Sequence, residues 1–244
     1  MKRKQSLAKH LCSVALISGI LAFLLCFVVT PSTTTFAAPP PVGFARIIHA
    51  APGTGNVDVF VDGIRLLNNF AFGTVTPYAP LPSGWHRIQV APTGQGLGSS
   101  MINQMIMVVP GVPYTLAAIG VTAPGFALMD FADNNLLPAG MNQAKSRIYH
   151  LSPDAGPVNV ASGRKTVVSE LVYPSASGYL TMPAGTYTFT VIATQSGVSV
   201  PVQETLRADT VNSIFAIGLV KGTPAFKFVM ASVPTSSPVG VSYP

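Results

Sequence analysis

Charge is scarce: Asp, Glu, Lys and Arg make up 9% of the 244 residues, so charge repulsion does not keep the chain unfolded and a core is easily filled. Cysteine is scarcer, and both copies, Cys12 and Cys26, lie near the N-terminus. Beyond them no disulfide and no thiolate metal site can form. The chain has one tryptophan, Trp85, and no G-x-S-x-G, H-E-x-x-H or C-x-x-C, which removes the common signatures of nucleophilic, zinc and dithiol chemistry. No amphipathic helical period emerges either. The Gly-rich stretches at residues 53–55 and 94–98 therefore precede no helix and cradle no phosphate.

Glycine and proline, 22 of each, are plentiful and spread along the chain, as expected for short strands joined by tight turns. The N-terminus differs. MKRKQSLAKH carries four positive charges and no acid, an apolar run follows at residues 11–29, and TPSTTTFA ends in small residues. Residues 1–37 read as a secretory signal peptide cleaved after Ala37. Retained as a helix, the apolar run would span roughly 28 Å, so a membrane is expected only through this segment if it stays uncleaved. Its loss takes Lys2, Arg3, Lys4 and Lys9, and the net charge of +6 becomes +2. The ten remaining cations are scattered, which argues against a nucleic-acid partner.

Placing His150 over His49 reveals a duplication. At that offset of 101, residues 46–90 run without a gap against 147–191, and eleven of the 45 pairs are identical, against about three expected from average composition. The identities include Arg46/Arg147, His49/His150, Pro52/Pro153, Tyr78/Tyr179, Pro82/Pro183 and Gly84/Gly185. Within each copy the hydrophobic period is two. Val57, Val59 and Val61 form one face of a half-buried strand, with Asp58, Phe60 and Asp62 on the other. Asp62-Gly63 is a hairpin turn signal, and Ser162-Gly163 is expected to serve the second copy one residue earlier. His86, Ile88 and Val90 face inward after the Pro82–Gly84 turn, and Tyr187, Phe189 and Val191 repeat them. About seven strands fit each copy. The expected fold is all-β: two tandem immunoglobulin-like β-sandwich domains after the signal peptide. Their limits are residues 43–134 and 145–233, with a linker at 135–144 and a loose tail at 234–244.

The paired signature R-[IV]-x-H-x-[SA]-P-D, V-D-V-x-V-D-G and Y-x-x-L-P-[AS]-G-x-Y resembles the bacterial secreted family known as domain of unknown function 4397. Arg46, His49, Pro52, Asp58, Tyr78, Pro82 and Gly84 carry it in the first copy, and Arg147, His150, Pro153, Tyr179, Pro183 and Gly185 in the second. Gly53 stands where the pattern has Asp, and Asn159 replaces the Asp of V-D-V. The resemblance implies a β-sandwich, export and tandem arrangement, and it brings no established activity.

His49 and His150 sit beside a Pro-containing loop and read as side chains pinning that loop through its carbonyls. The companions a metal would need differ between copies, Asp58 and His86 against Asn159 and Tyr187, so no metal and no cofactor is expected. Asp58 with Asp62, and Asp130 with Asp133, are acid pairs that read as solvated surface groups, with weak calcium binding the alternative. Trp85 points outward beside Arg87, an arrangement able to stack on a sugar ring. The expected function is a non-enzymatic, exported or surface-associated interaction module for an extracellular protein or a glycan. Its rivals are a carbohydrate-binding module using Trp85 and adjacent loops, and a self-assembling surface layer.

Overall fold

Valine, isoleucine, threonine and aromatic residues alternate with polar ones in short runs, most of them closed by Gly, Pro, Asn or Asp, and the described residues fold as strands joined by turns. The computed structural model describes residues 41–135 and 141–235. Among the described residues the one helical element is a 3-10 turn, Leu97–Ser99. The expected signal peptide, half of the expected linker and nearly all of the expected tail lie outside the described residues.

The first repeat contains β1 (Val42–His49), β2 (Val57–Val61), β3 (Ile64–Phe70), β4 (Ala79–Pro82), β5 (Gly84–Pro92), β6 (Ile102–Val108), β7 (Pro113–Ile119) and β8 (Ala127–Ala132). They form two four-stranded sheets, β4-β1-β7-β8 and β3-β2-β5-β6. The second repeat contains β9 (Gln143–His150), β10 (Val158–Ser162), β11 (Lys165–Leu171), β12 (Ser175–Ala176), β13 (Leu180–Pro183), β14 (Gly185–Ala193), β15 (Ser199–Leu206), β16 (Thr210–Ile217) and β17 (Lys227–Pro234). Its sheets are β12-β9-β16-β17, with β13 also on β9, and β11-β10-β14-β15. Pairing is antiparallel except for β1 with β7 and β9 with β16, which run parallel. Each repeat is thus an immunoglobulin-like two-sheet sandwich.

Four details differ from the sequence reading. Each repeat has more than seven strands, because the short, Pro-containing edge strands β4 and β13 also pair, with β1 and β9; Pro is tolerated there since an edge needs only half its ladder bonds. β2 is not half-buried: Asp58 and Phe60 are buried along with the valines. The turn after β10 is not displaced. Ser162 pairs with Lys165, so Gly163 and Arg164 are the central residues, in register with Asp62 and Gly63. Asp62 and Gly63 both have positive φ, whereas in the second copy positive φ is confined to Gly163, so a type II′ turn replaces the first copy's type I′. Finally, Gln143 and Ala144 belong to β9, and Pro234 still pairs with Thr210.

Each sandwich has its own core, one around Val59, Ile88, Val90 and Leu116 and one around Val160, Phe189, Val191 and Ile214. A third cluster joins them. Ile48, Ala117, Ile119 and Phe131 of the first repeat pack on Tyr149, Leu151, Phe215 and Ile217 of the second. The reason is visible in β1 and β9, which are buried on both faces through their last four and last three residues respectively. Ile47 and Ile148 enter their own sandwiches, while Ile48 and Tyr149 enter the junction. With each large side chain contributing about 1.5–3 kcal/mol on burial, the junction is a core in its own right.

Candidate functional site

The repeated signature residues account for one another. His49 sets its Nε2 2.8 Å from the Gly55 carbonyl, and His150 sets its Nε2 2.7 Å from the Gly156 carbonyl. Edge-on aromatic rings, Phe72 and Tyr173, cover the two imidazoles at equivalent positions. Burial pushes both histidines down from the ordinary range, against the smaller opposing pull of the loop carbonyls. Asp58 is buried and accepts from the Asn69 N–H at 2.9 Å, the Gly94 N–H at 3.2 Å and Arg65 at 3.3 Å. These donors, the Asn69 amide foremost, hold its carboxyl below the usual range. Asn159 accepts from the Glu170 N–H at 2.8 Å. Asn69 and Glu170 both have positive φ in their strands, and the side-chain oxygen at V-[DN]-V satisfies the amide that this kink takes out of the ladder. Asp and Asn both supply that oxygen, which explains the departure in the second copy.

The other departure has a steric cause. Asp154 accepts from the Val220 and Lys221 N–H groups at 2.8 and 2.9 Å. In the first copy the corresponding loop comes closer, and a Cβ on Gly53 would lie 1.9 Å from the Val121 carbonyl oxygen. Only glycine fits. The prolines of the turn signature also have matching partners: His86 Nε2 lies 2.7 Å from the Pro82 carbonyl, and the Tyr187 hydroxyl donates to the Pro183 carbonyl at 2.9 Å.

These groups set the response to acid. A buried base with a depressed pKa stabilises the fold while neutral, so the contribution of His49 and His150 is whole above the ordinary histidine value of about 6.5 and declines below it. Asp58 is held down as described, and Asp62 by the Arg87 N–H and then by His86. Their contribution is present above about pH 4 and is lost as pH falls through the folded-state values. Thermal unfolding is therefore expected to move to lower temperature in two stages, below about pH 6.5 and again below about pH 4. The variant His49→Gln/His150→Gln should lose the upper stage. A wild-type melting temperature that stays level between pH 7 and pH 5 would contradict this account.

The junction holds the least expected group. Asp133 is buried, not solvated, and gathers partners from both repeats. The Tyr78 hydroxyl donates to it at 2.6 Å, the Thr115 and Tyr149 hydroxyls donate through short bonds, and Arg147 donates at 2.9 Å. Arg46 stands 3.8 Å away. Each signature arginine reaches across: Arg46 donates to Ser213 of the second repeat at 2.6 Å, and Arg147 donates to the Ala132 carbonyl of the first at 2.7 Å. Arg46 also lies over the Tyr78 ring and Arg147 over that of Tyr179. Burial pushes the Tyr78 and Tyr149 hydroxyls up, so both remain donors. The pairing of β16 with β17 puts Val233 where the first repeat has Asp133. One carboxylate therefore serves two arginines.

The expected companions of a metal do not converge. His49, Asp58 and His86 each face a different backbone group, Asp62 is occupied by His86 and Arg87, and Asp130 is exposed while Asp133 is enclosed. No group of three or more His, Cys, Asp or Glu able to hold a metal occurs among the described residues. Trp85 is 63% exposed on the outer face of β5. It pairs across the strands with Met107, and Arg87 pairs with Met105; both methionines are exposed. Arg87 leans towards Asn103 at 3.5 Å. Neighbouring methionines on β6 carry no motif, and only the strand register brings them to the tryptophan.

A family model described as a domain of unknown function (DUF4397) matches residues 43–161 and again 144–239. No curated protein matches the chain. Among solved structures, the Bacillus anthracis TIE protein is 13% identical with a TM-score of 0.23, over 73% of this chain and 34% of its own. The chain thus spans about a third of that protein's length. A candidate cell adhesion protein from Bacteroides eggerthii is 7% identical with a TM-score of 0.21, over 81% and 97% of the two chains. The fimbrial anchor protein Mfa2 from Porphyromonas gingivalis is 9% identical with a TM-score of 0.20, over 80% and 99%.

Proposed function

The chain belongs to the DUF4397 family, matched twice along its length, and from that premise we propose that it acts as a non-enzymatic interaction module exported from the cell. In this reading a joined pair of sandwiches presents its surfaces to an extracellular protein. One observation carries it: the buried ionisable groups are committed to the scaffold. His49 and His150 hold loop carbonyls, Asp58 holds a strand kink, and Asp133 holds the junction. A catalytic acid or base needs a proton path to a bound substrate, and these side chains are turned inward onto backbone and side-chain groups of the chain itself. Export rests on the character of residues 1–37. The chain starting at Ala38 is expected to leave a broad panel of ester, glycoside and peptide substrates unchanged. Turnover that disappears in His49→Ala would overturn the reading.

The exposure of Trp85 beside Arg87 favours a second reading, a glycan stacked on the indole. Because Trp85 is the sole tryptophan, its fluorescence reports this site without background. A glycan ligand is expected to shift the emission on titration, and Trp85→Ala is expected to weaken binding by about 2 kcal/mol or more, roughly 30-fold. An unchanged spectrum across cell-wall and plant glycans would eliminate this second reading and leave the first standing.

A further inference from the structure

The two flanks of the first sandwich are closed differently. On the side of β6 and β8, Gln104 ties the sheets together: its Nε2 donates to the Leu128 carbonyl at 3.0 Å and its Oε1 accepts from the Leu128 N–H at 3.2 Å. On the side of β3 and β4 the sheets part around a cavity of about 360 Å3, which runs in to Ile88 and Leu116 of the core. Ligand pockets are typically about 300–1,000 Å3, so the space is of binding size.

The second repeat differs on the equivalent flank. At the offset of 101, Leu180 stands in place of Ala79 and Phe189 in place of Ile88. Both pack in the second core, and together they carry about six more side-chain carbons, enough to alter a close-packed interior. The depression there is as large, about 390 Å3, but four of its eight lining residues are Ser162, Lys165, Thr166 and Thr181, and Phe189 is not among them. The duplication therefore left the first repeat with an apolar hollow that reaches its core and the second with a partly polar one that stops short of it.

We infer that the hollow flank is a binding site for one linear aliphatic chain, the acyl part of an amphiphile whose polar end stays at the mouth. The walls are hydrocarbon apart from Arg46 and Thr76. Arg46 is spent on Thr115 and Ser213, and the Thr76 hydroxyl oxygen accepts from the Ile47 N–H at 3.0 Å. A sugar or a peptide backbone inside would lose its hydrogen bonds to water and find none in return. A methylene chain loses nothing polar and removes apolar wall from water. At the mouth, Leu66 of β3 is 60% exposed and would be covered by the outer part of such a chain.

Dodecanoate below its micellar concentration is the probe, titrated into residues 38–244, which carry every described strand. Saturable one-to-one binding with a raised melting temperature is expected. Ala79→Leu/Ile88→Phe installs the second repeat's own residues. It is expected to melt about 2–4 °C higher without ligand and to bind at least about tenfold more weakly. Leu66→Glu, at an exposed position that does not endanger folding, should weaken dodecanoate as well. Co-sedimentation with neutral phospholipid vesicles that is lost in the filled variant would assign the chain to a membrane lipid; dodecanoate binding without it would assign a free amphiphile. The inference fails if the wild type binds neither probe, or if the filled variant folds and binds as the wild type does.

Discussion

Asp133→Ala is expected to destabilise the protein by about 3–5 kcal/mol, because it strips the shared partner from two arginines and three hydroxyl groups, of which Arg46, Thr115 and Tyr149 are buried. At roughly 2–4 °C per kcal/mol for a chain of this size, the melting temperature should fall by about 10 °C. The cost lies chiefly in what stays behind. Arg46 keeps Thr115 and Ser213 as acceptors but no longer has a counter-charge beside it. Asp133→Asn keeps acceptor capacity for the hydroxyls and should cost less. Scanning calorimetry of the three proteins checks the ranking. A loss below about 1 kcal/mol for Asp133→Ala, the usual scale for a surface pair, would show that the junction is open to solvent.

Phe215→Ala carries the second large effect, about 3–5 kcal/mol from lost burial and the space left behind. Phe215 is fully buried, stacks on Tyr149 with ring centroids 4.6 Å apart, and lies 5.3 Å below the Arg46 guanidinium. The informative measurement is urea unfolding followed both by circular dichroism and by Trp85 fluorescence. Trp85 belongs to the first repeat and Phe215 to the second, so coincident shifts of both transitions mean that the repeats unfold as one. A fluorescence transition unmoved by Phe215→Ala would mean that the junction adds little to either sandwich. Asp133 and Phe215 share Arg46 as a neighbour, so the double variant should fall short of the summed losses.

Much of the architecture was legible in particular residues. The valines of NVDVFVDG announce a strand, Asp62-Gly63 announces its turn, and the recurrence of His-x-x-Pro announces the duplication. Short-range chemistry was legible for the same reason: His49 and His150 each meet a carbonyl six residues away, in the loop beside them. Asp58 was misjudged because its partners, the Asn69 and Gly94 amides, are backbone groups that a kinked strand and a remote loop present. Asp133 was misjudged more completely. Two of its partners, Tyr78 and Tyr149, stand on either side of it by 55 and 16 residues, and no local pattern distinguishes such an acid from a solvated one. The short strands β4 and β13 escaped because four residues ending in proline are too short a run to be recognised as a separate strand.

Sequence by itself determined the all-β class, the doubling of the unit, the turns and the inward face of most strands, because each depends on residues within a few positions of one another and on a period of two. Tertiary structure alone decided that the two units share a third core, that one carboxylate sits between both arginines, that Met105 and Met107 flank Trp85, and that the first sandwich's flank hollow is apolar and reaches its core while the second's does not. Those features depend on the register and packing of strands far apart in the chain, where a difference of a few side-chain carbons at Ala79 and Ile88 changes how deep a hollow runs.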